Sequence, residues 1–185
     1  MSFFSKLVRP CRKGEKNFQR GRAAEQRSDF VKAKQYFTEG AAAFDEHLAE
    51  INAKNERPRP SHMVMAGICY TRTGRYADAL RILDDCIEAK DIPDAFLNAG
   101  YAAAKSGQAE RAVAYWRDYP AWAGQRIIAG VLKELVRAIR SSDSPDLQGA
   151  CEAVANAVFE QDKANARDRK FRENGKTTSE FRQGY

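Results

Sequence analysis

The feature that most constrains the fold of this chain is a pattern of small and large residues that occurs three times. The clearest copy is the run GICYTRTGRYADAL, residues 67–80, in which a glycine, a second glycine and an alanine stand at fixed intervals. Its key positions are Gly67, Gly74, Tyr76, Ala79 and Leu83, and those found 33 residues later are Gly100, Gly107, Ala109, Ala112 and Trp116. An earlier copy comprises Gly21, Ser28, Phe30, Ala33, Phe37 and Gly40.

The pattern predicts pairs of antiparallel helices that pack closely. A glycine such as Gly67 lets two helix backbones approach, while large residues fill the space beside the crossing. Gly74 and Gly107 suit the left-handed conformation that ends a helix. In the first copy Ser28-Asp29 stands at this turn, and either residue can cap the next helix. The spacing of Tyr76, Ala79, Leu83 and Cys86 predicts one buried helical stripe.

The repeated pattern resembles the tetratricopeptide repeat family. The residues that carry the resemblance are Gly67, Tyr70, Gly74, Tyr76, Ala79 and Leu83. The third copy has Ala109 where the family favours an aromatic residue, and the first copy departs from the family at its turn. The resemblance covers about residues 15–119 and implies an all-α fold, a right-handed α-solenoid of antiparallel helix pairs. The alternative is an ordinary bundle of helical hairpins.

Proline positions and helical periodicity set the expected domain boundaries. The expected segments are a basic N-terminal arm at 1–14, repeats near 15–53, 60–92 and 93–119, a degenerate capping helix pair at 121–172 and a flexible tail at 173–185. The first repeat is long because its second helix is predicted to run without interruption from Phe30 through Ile51. In the run SDSP, residues 142–145, Pro145 is expected at the first position of the last long helix.

Positive charge is concentrated at the two ends of the 185-residue chain. The net charge is +6, and residues 1–22 alone contain seven basic residues against Glu15. A nucleic acid, a ribosome or an anionic membrane surface is therefore an alternative partner, with Phe3, Phe4, Leu7 and Val8 available for lipid. Residues 1–22 are expected to be dispensable for folding. The N-terminus lacks an export signal, so a cytoplasmic location with reduced cysteines is expected.

Residues for catalysis or for a cofactor are not apparent in the sequence. No glycine-rich phosphate loop is present, and the adjacent pair Asp84-Asp85 points in directions about 100° apart on a helix. His47 and His62 have no companion at metal-ligand spacing. We therefore expect a protein that is not an enzyme and binds neither a cofactor nor a metal.

The family resemblance implies a concave groove that binds a peptide segment, as in an adaptor or a chaperone-like module. Carried over position by position, the groove residues are Arg22, Val64, Ile68, Arg72, Leu97, Asn98, Tyr101 and Lys105. The residues Val64, Ile68 and Leu97 fit either the groove or the core. The carboxylate clamp of co-chaperones in this family is not expected, because only Asn98 agrees with it among Phe18, Arg22, Met65, Asp94 and Asn98. An amphipathic or acidic, apolar peptide is the expected ligand.

Overall fold

A computed structural model describes residues 8–120 and 124–173 of the chain, with side chains through residue 168. This part of the chain contains eight α-helices and no β-strand, as the sequence predicts. Their bounds are α1 Pro10–Gln26, α2 Phe30–Ala53, α3 Pro60–Arg72, α4 Tyr76–Ala89, α5 Pro93–Lys105, α6 Ala109–Arg117, α7 Arg126–Arg140 and α8 Leu147–Glu173. None of these helices combines the length and the apolar character that a membrane span requires.

Three helix-to-helix turns share one backbone geometry, at the positions where the sequence pattern places them. The residue in the left-handed conformation is Ser28, Gly74 or Gly107, with φ of 59°, 80° and 77°. The next amide reaches back to a carbonyl five residues earlier, and the three bonds are Asp29 N to Ala24 O at 3.0 Å, Arg75 N to Tyr70 O at 2.8 Å and Gln108 N to Ala103 O at 2.9 Å. This 6→1 bond defines the Schellman motif, which ends a helix abruptly. In the first turn Ser28 takes the glycine role and Asp29 caps α2, with its side chain accepting from Lys32 N.

The predicted crossing glycines each lie under a large side chain that follows 16 residues later in the sequence. A Cβ at Gly67 would stand 2.5 Å from Cγ of Leu83, and one at Gly21 would stand 2.8 Å from the Phe37 ring. Gly100 has the Trp116 indole in the same place. Such distances are too short for any real Cβ, so each glycine is required by the packing of its own helix pair.

Helix α2 is unusually long, as predicted, and ends at Ala53. Asn55 then takes the left-handed conformation with φ 53°, and Glu56 N bonds Ile51 O at 3.1 Å. Pro60 begins α3 in the favoured first helical position. One detail of the pattern is wrong: Phe30, expected to fill space beside the crossing, is 68% exposed because it lies on the outer side of the first turn of α2.

Helix α1 begins at Pro10, so the last residues of the expected arm are helical. Gly14 and Gly21 lie against the rings of Phe44 and Phe37, and Phe18 is buried. The structure favours the opposite of the expectation that residues 1–22 are dispensable for folding, since this segment covers two large aromatic side chains of α2.

The chain divides into two compact units, one ending at Asn98 and one beginning at Ala99. In the second unit, α7 packs against α8 through apolar residues that recur at helical spacing. The buried side chains are Ile128, Leu132, Val136 and Ile139 of α7 and Ala150, Val154 and Ala157 of α8.

Pro145 is not the first residue of α8: Asp146 caps this helix, with Oδ1 accepting from Gly149 N at 2.8 Å. Of the expected flexible tail, residues 173–185, only Glu173 is described, as the last residue of α8, and the rest lies outside the described residues.

Candidate protein-binding face of the first unit

Two of the predicted groove arginines meet at one carboxylate. Nε of Arg72, at the end of α3, donates to Oε1 of Glu25 on α1 at 2.7 Å. Nη1 of Arg22 donates to Oε2 of the same Glu25 at 3.4 Å. All three side chains are partly buried, with 21% to 25% of their surface exposed. The three side chains therefore form one polar cluster on a surface that is only partly solvated.

The uncharged residues of the predicted groove in this unit have little accessible surface. Val64 is 1% exposed, Ile68 7% and Leu97 4%. Asn98 is 8% exposed, and its Nδ2 donates to Asp94 O at 2.7 Å. In this conformation these side chains pack inside the protein, and the partly exposed arginines provide the accessible surface of the predicted groove in this unit.

Tyr101 and Lys105, the remaining predicted groove residues, lie in the second unit and contact α8. Nζ of Lys105 donates to Oε1 of Gln148 at 2.7 Å and stands 5.7 Å from the centre of the Tyr101 ring. The thiol of Cys151 approaches Tyr101 O at 3.9 Å. The contact with α8 could not be predicted from the sequence, because the spacing within α5 carries no information about which distant helix packs on it.

A series of hydrogen bonds links two buried histidines and one partly exposed glutamate, and it joins three helices. Nε2 of His47 lies 3.0 Å from Nδ1 of His62, and Nε2 of His62 lies 2.9 Å from Oε1 of Glu15. With both rings neutral, His47 donates to His62 and His62 donates to Glu15. Burial, followed by the proximity of His62, holds the pKa of His47 below its ordinary value. These hydrogen bonds could not be predicted from sequence spacing, because the three residues come from α1, α2 and α3.

A second polar cluster joins α2, α3 and the start of α4. Arg75 donates to both oxygens of Asp45, at 2.7 and 3.1 Å, and the Tyr70 hydroxyl donates to Asp45 at 2.7 Å. Arg75 also stands 4.3 Å from the centre of the Tyr70 ring and bonds Asp78. Burial alone raises the pKa of Asp45, but the hydrogen bonds from Arg75 and Tyr70 outweigh burial and leave this pKa lowered. The cluster therefore fixes the position of α2 relative to α4.

Helix α1 presents a stripe of exposed cations, which we name the basic stripe. Its members are Arg12, Lys13, Lys16 and Arg20 of the helix and Arg9, the residue that precedes it. At the helical angle the four members within α1 fall in an arc of about 100°. Glu15 lies outside this arc. Arg20 stacks on Tyr36 at 5.7 Å, and the other four have no ion-pair partner among the described residues.

Two of the cysteines, Cys69 and Cys86, are buried. Burial raises the pKa of Cys69 to about 12 and that of Cys86 to about 11. Thiols with such pKa values remain protonated and unreactive at neutral pH. No group of three or more His, Cys, Asp or Glu side chains is arranged to hold a metal ion within residues 8–120 and 124–168.

No protein-family model, curated protein sequence or solved structure matches this chain.

Proposed function

We propose that the chain is a non-enzymatic protein-binding module of the tetratricopeptide repeat type, with its helix pairs stacked as a right-handed α-solenoid. The observation that supports this proposal is the threefold recurrence of one helix pair. The left-handed turn residue and the crossing glycine occur at matching sequence positions in all three copies. Stacked helix pairs generate extended surfaces that bind segments of other proteins, and this is the common use of such repeats.

The proposed binding face in the first unit centres on Arg22 and Arg72. Both guanidinium groups are partly withdrawn from water, and both contact the carboxylate of Glu25. Arginine forms planar, paired hydrogen bonds with carboxylates, and partial burial strengthens these bonds. A partner segment that carries acidic side chains is therefore the ligand that this face fits best.

Calorimetry with a synthetic peptide in which glutamates flank a pair of leucines, the Glu/Leu peptide, tests the binding face. The double variant Arg22→Gln, Arg72→Gln is expected to weaken binding by about tenfold or more, since charge-assisted bonds are lost. The matched control is Arg12→Gln, Arg140→Gln, which removes two exposed arginines elsewhere. Equal loss of affinity in both double variants, or no binding by the wild-type protein, would contradict the assignment of this face.

The basic stripe supports a second candidate function, attachment to a polyanion. Four cations on one side of a helix, with a fifth just before it, are the electrostatic pattern that binds phosphate groups of nucleic acids or of anionic lipids. The variant Arg12→Gln, Lys13→Gln, Lys16→Gln should abolish salt-sensitive binding to single-stranded RNA or to phosphatidylserine vesicles. The control Lys34→Gln, Lys133→Gln, Arg140→Gln changes the same charge at exposed positions away from α1. If neither polyanion binds the wild-type protein at low salt, this candidate is excluded.

A further inference from the structure

A cleft of about 580 Å³ lies in the first unit between α2 and α4, and α3 forms its floor. Met63 of α3 and Ile82 of α4 are 5% and 8% exposed, and Leu48 of α2 is half-buried. Its volume falls within the range of cavities that hold a ligand or a few side chains of a partner. The cleft contains neither Arg22 nor Arg72, so it is separate from the binding face proposed above.

The unusual length of α2 forms one wall of this cleft. Leu48, Ala49 and Asn52 all belong to the C-terminal part of α2, which makes the first copy of the sequence pattern longer than the others. The loop after α2 adds Glu56, Arg57 and Pro58 to the rim. The extra residues of the first copy therefore create a surface that a repeat of ordinary length lacks.

The rim of the cleft carries more acidic than basic side chains. Among the lining residues, Asp45 is neutralised by Arg75, whereas Glu56, Asp85 and Glu88 have no ion-pair partner among the described residues. Asp85 and Glu88 stand three residues apart on α4, so their like charges face the same opening. Arg57 and Arg81 also line the cleft, and Arg81 reaches Asp78 at 3.4 Å.

We propose that this cleft binds a basic, apolar segment of a partner protein. An apolar side chain of the segment fits over Met63 and Leu48, and flanking Lys or Arg side chains pair with Glu56, Asp85 and Glu88. Charge complementarity selects this occupant, since a cation relieves the repulsion between Asp85 and Glu88 while an acidic segment increases it. The chain then offers two faces of opposite preference, one for acidic and one for basic partner segments.

Fluorescence anisotropy with a labelled peptide in which lysines flank a pair of leucines, the Lys/Leu peptide, tests the proposal. Wild-type protein should bind this peptide, with an affinity that falls as sodium chloride is raised. The variant Glu56→Gln, Asp85→Asn, Glu88→Gln should weaken binding by about tenfold or more. The control Glu46→Gln, Asp91→Asn, Glu110→Gln neutralises the same number and types of exposed acids outside the cleft and should bind like the wild type.

A steric variant tests the cleft without changing its charge. Ala49→Trp places an indole into the opening from an exposed wall position and should prevent binding, whereas Ala53→Trp, on the same helix but outside the cleft, should not. A helical spectrum and an unchanged melting temperature verify folding of each variant. The proposal is overturned if the wild-type protein does not bind the Lys/Leu peptide, or if both cleft variants bind it like the wild type. It is also overturned if the cleft variants weaken binding of the Glu/Leu peptide as much as binding of the Lys/Leu peptide. The variant Arg22→Gln, Arg72→Gln should bind the Lys/Leu peptide like the wild type, so either proposal can fail without the other.

Discussion

At the scale of single residues, Gly67 is a position where the packing leaves no room for a Cβ atom. Replacing Gly67 by alanine should destabilise the protein by about 1–3 kcal/mol, because the added Cβ would displace the buried Leu83. The matched control is Gly130→Ala on α7, where no atom lies within 4 Å of the added Cβ. Alanine there should raise stability by about 0.5–1 kcal/mol through its higher helix propensity. Urea unfolding of both variants measures the difference, and destabilisation of similar size in both would show that Gly67 is not at a close crossing.

The buried His47 should make the free energy of unfolding depend on pH. This dependence falls at higher pH than the dependence that the carboxylates cause. Because the folded-state pKa of His47 lies below its ordinary value of 6.5, the unfolded chain binds a proton first as the pH falls. Its contribution to stability is complete above that ordinary value and is lost as the pH falls through the folded-state pKa. The carboxylates with lowered pKa, such as Asp45, lose their contribution only below about their ordinary value of 3.8.

The variant His47→Gln should therefore show a smaller decrease in melting temperature between about pH 7.5 and about pH 5 than the wild-type protein. Glutamine keeps a side-chain N–H that can donate to His62, which limits the structural change. Melting curves recorded by circular dichroism across this range decide the question. Parallel pH profiles for the two proteins would mean that another group governs the dependence.

At the scale of elements, the three helix-to-helix turns differ in the residue that adopts the left-handed conformation. Gly74 and Gly107 accept positive φ without a Cβ penalty, whereas Ser28 adopts φ 59° at a cost. Gly74→Ala should thus destabilise the protein by about 1–2 kcal/mol, although nothing lies within 4 Å of the added Cβ. Ser28→Gly should instead raise stability by up to about 1 kcal/mol. If thermal unfolding shows that both substitutions change the melting temperature in the same direction, this explanation is contradicted.

The limits of the elements were predictable wherever a local signal determines them. Pro60 and Pro93 begin α3 and α5, and the long uninterrupted periodicity of α2 extends through Ile51 as expected. The start of α8 was not predicted, because Asp146 and Pro145 offer competing local signals and the capping bond of Asp146 prevailed. Phe30 was misassigned for a related reason: its spacing fits the pattern, but exposure depends on which side of α2 the remaining chain covers.

At the scale of the whole molecule, the N-terminal segment combines a structural role with a charged surface. Deleting residues 1–22 should lower the melting temperature clearly, since Phe37 and Phe44 would lose their cover, and exposing each buried aromatic ring costs about 1.5–3 kcal/mol. Neutralising Arg12, Lys13 and Lys16 in place should leave the melting temperature unchanged, because all three are exposed. Circular dichroism on both variants separates the two roles. An unchanged melting temperature after the deletion would show that α1 contributes nothing to the core.

The sequence alone determined the all-α class, the helix pairs, their turns and their crossing glycines, because these depend on residues at most a few helical turns apart. Only the tertiary structure revealed the chain from Glu15 through His62 to His47, the arginine pair on Glu25 and the contact of Lys105 with Gln148. The cleft beside α2 was likewise revealed only by the tertiary structure. Each of these features joins side chains from different helices, and their distances depend on how the helices pack rather than on spacing along the chain.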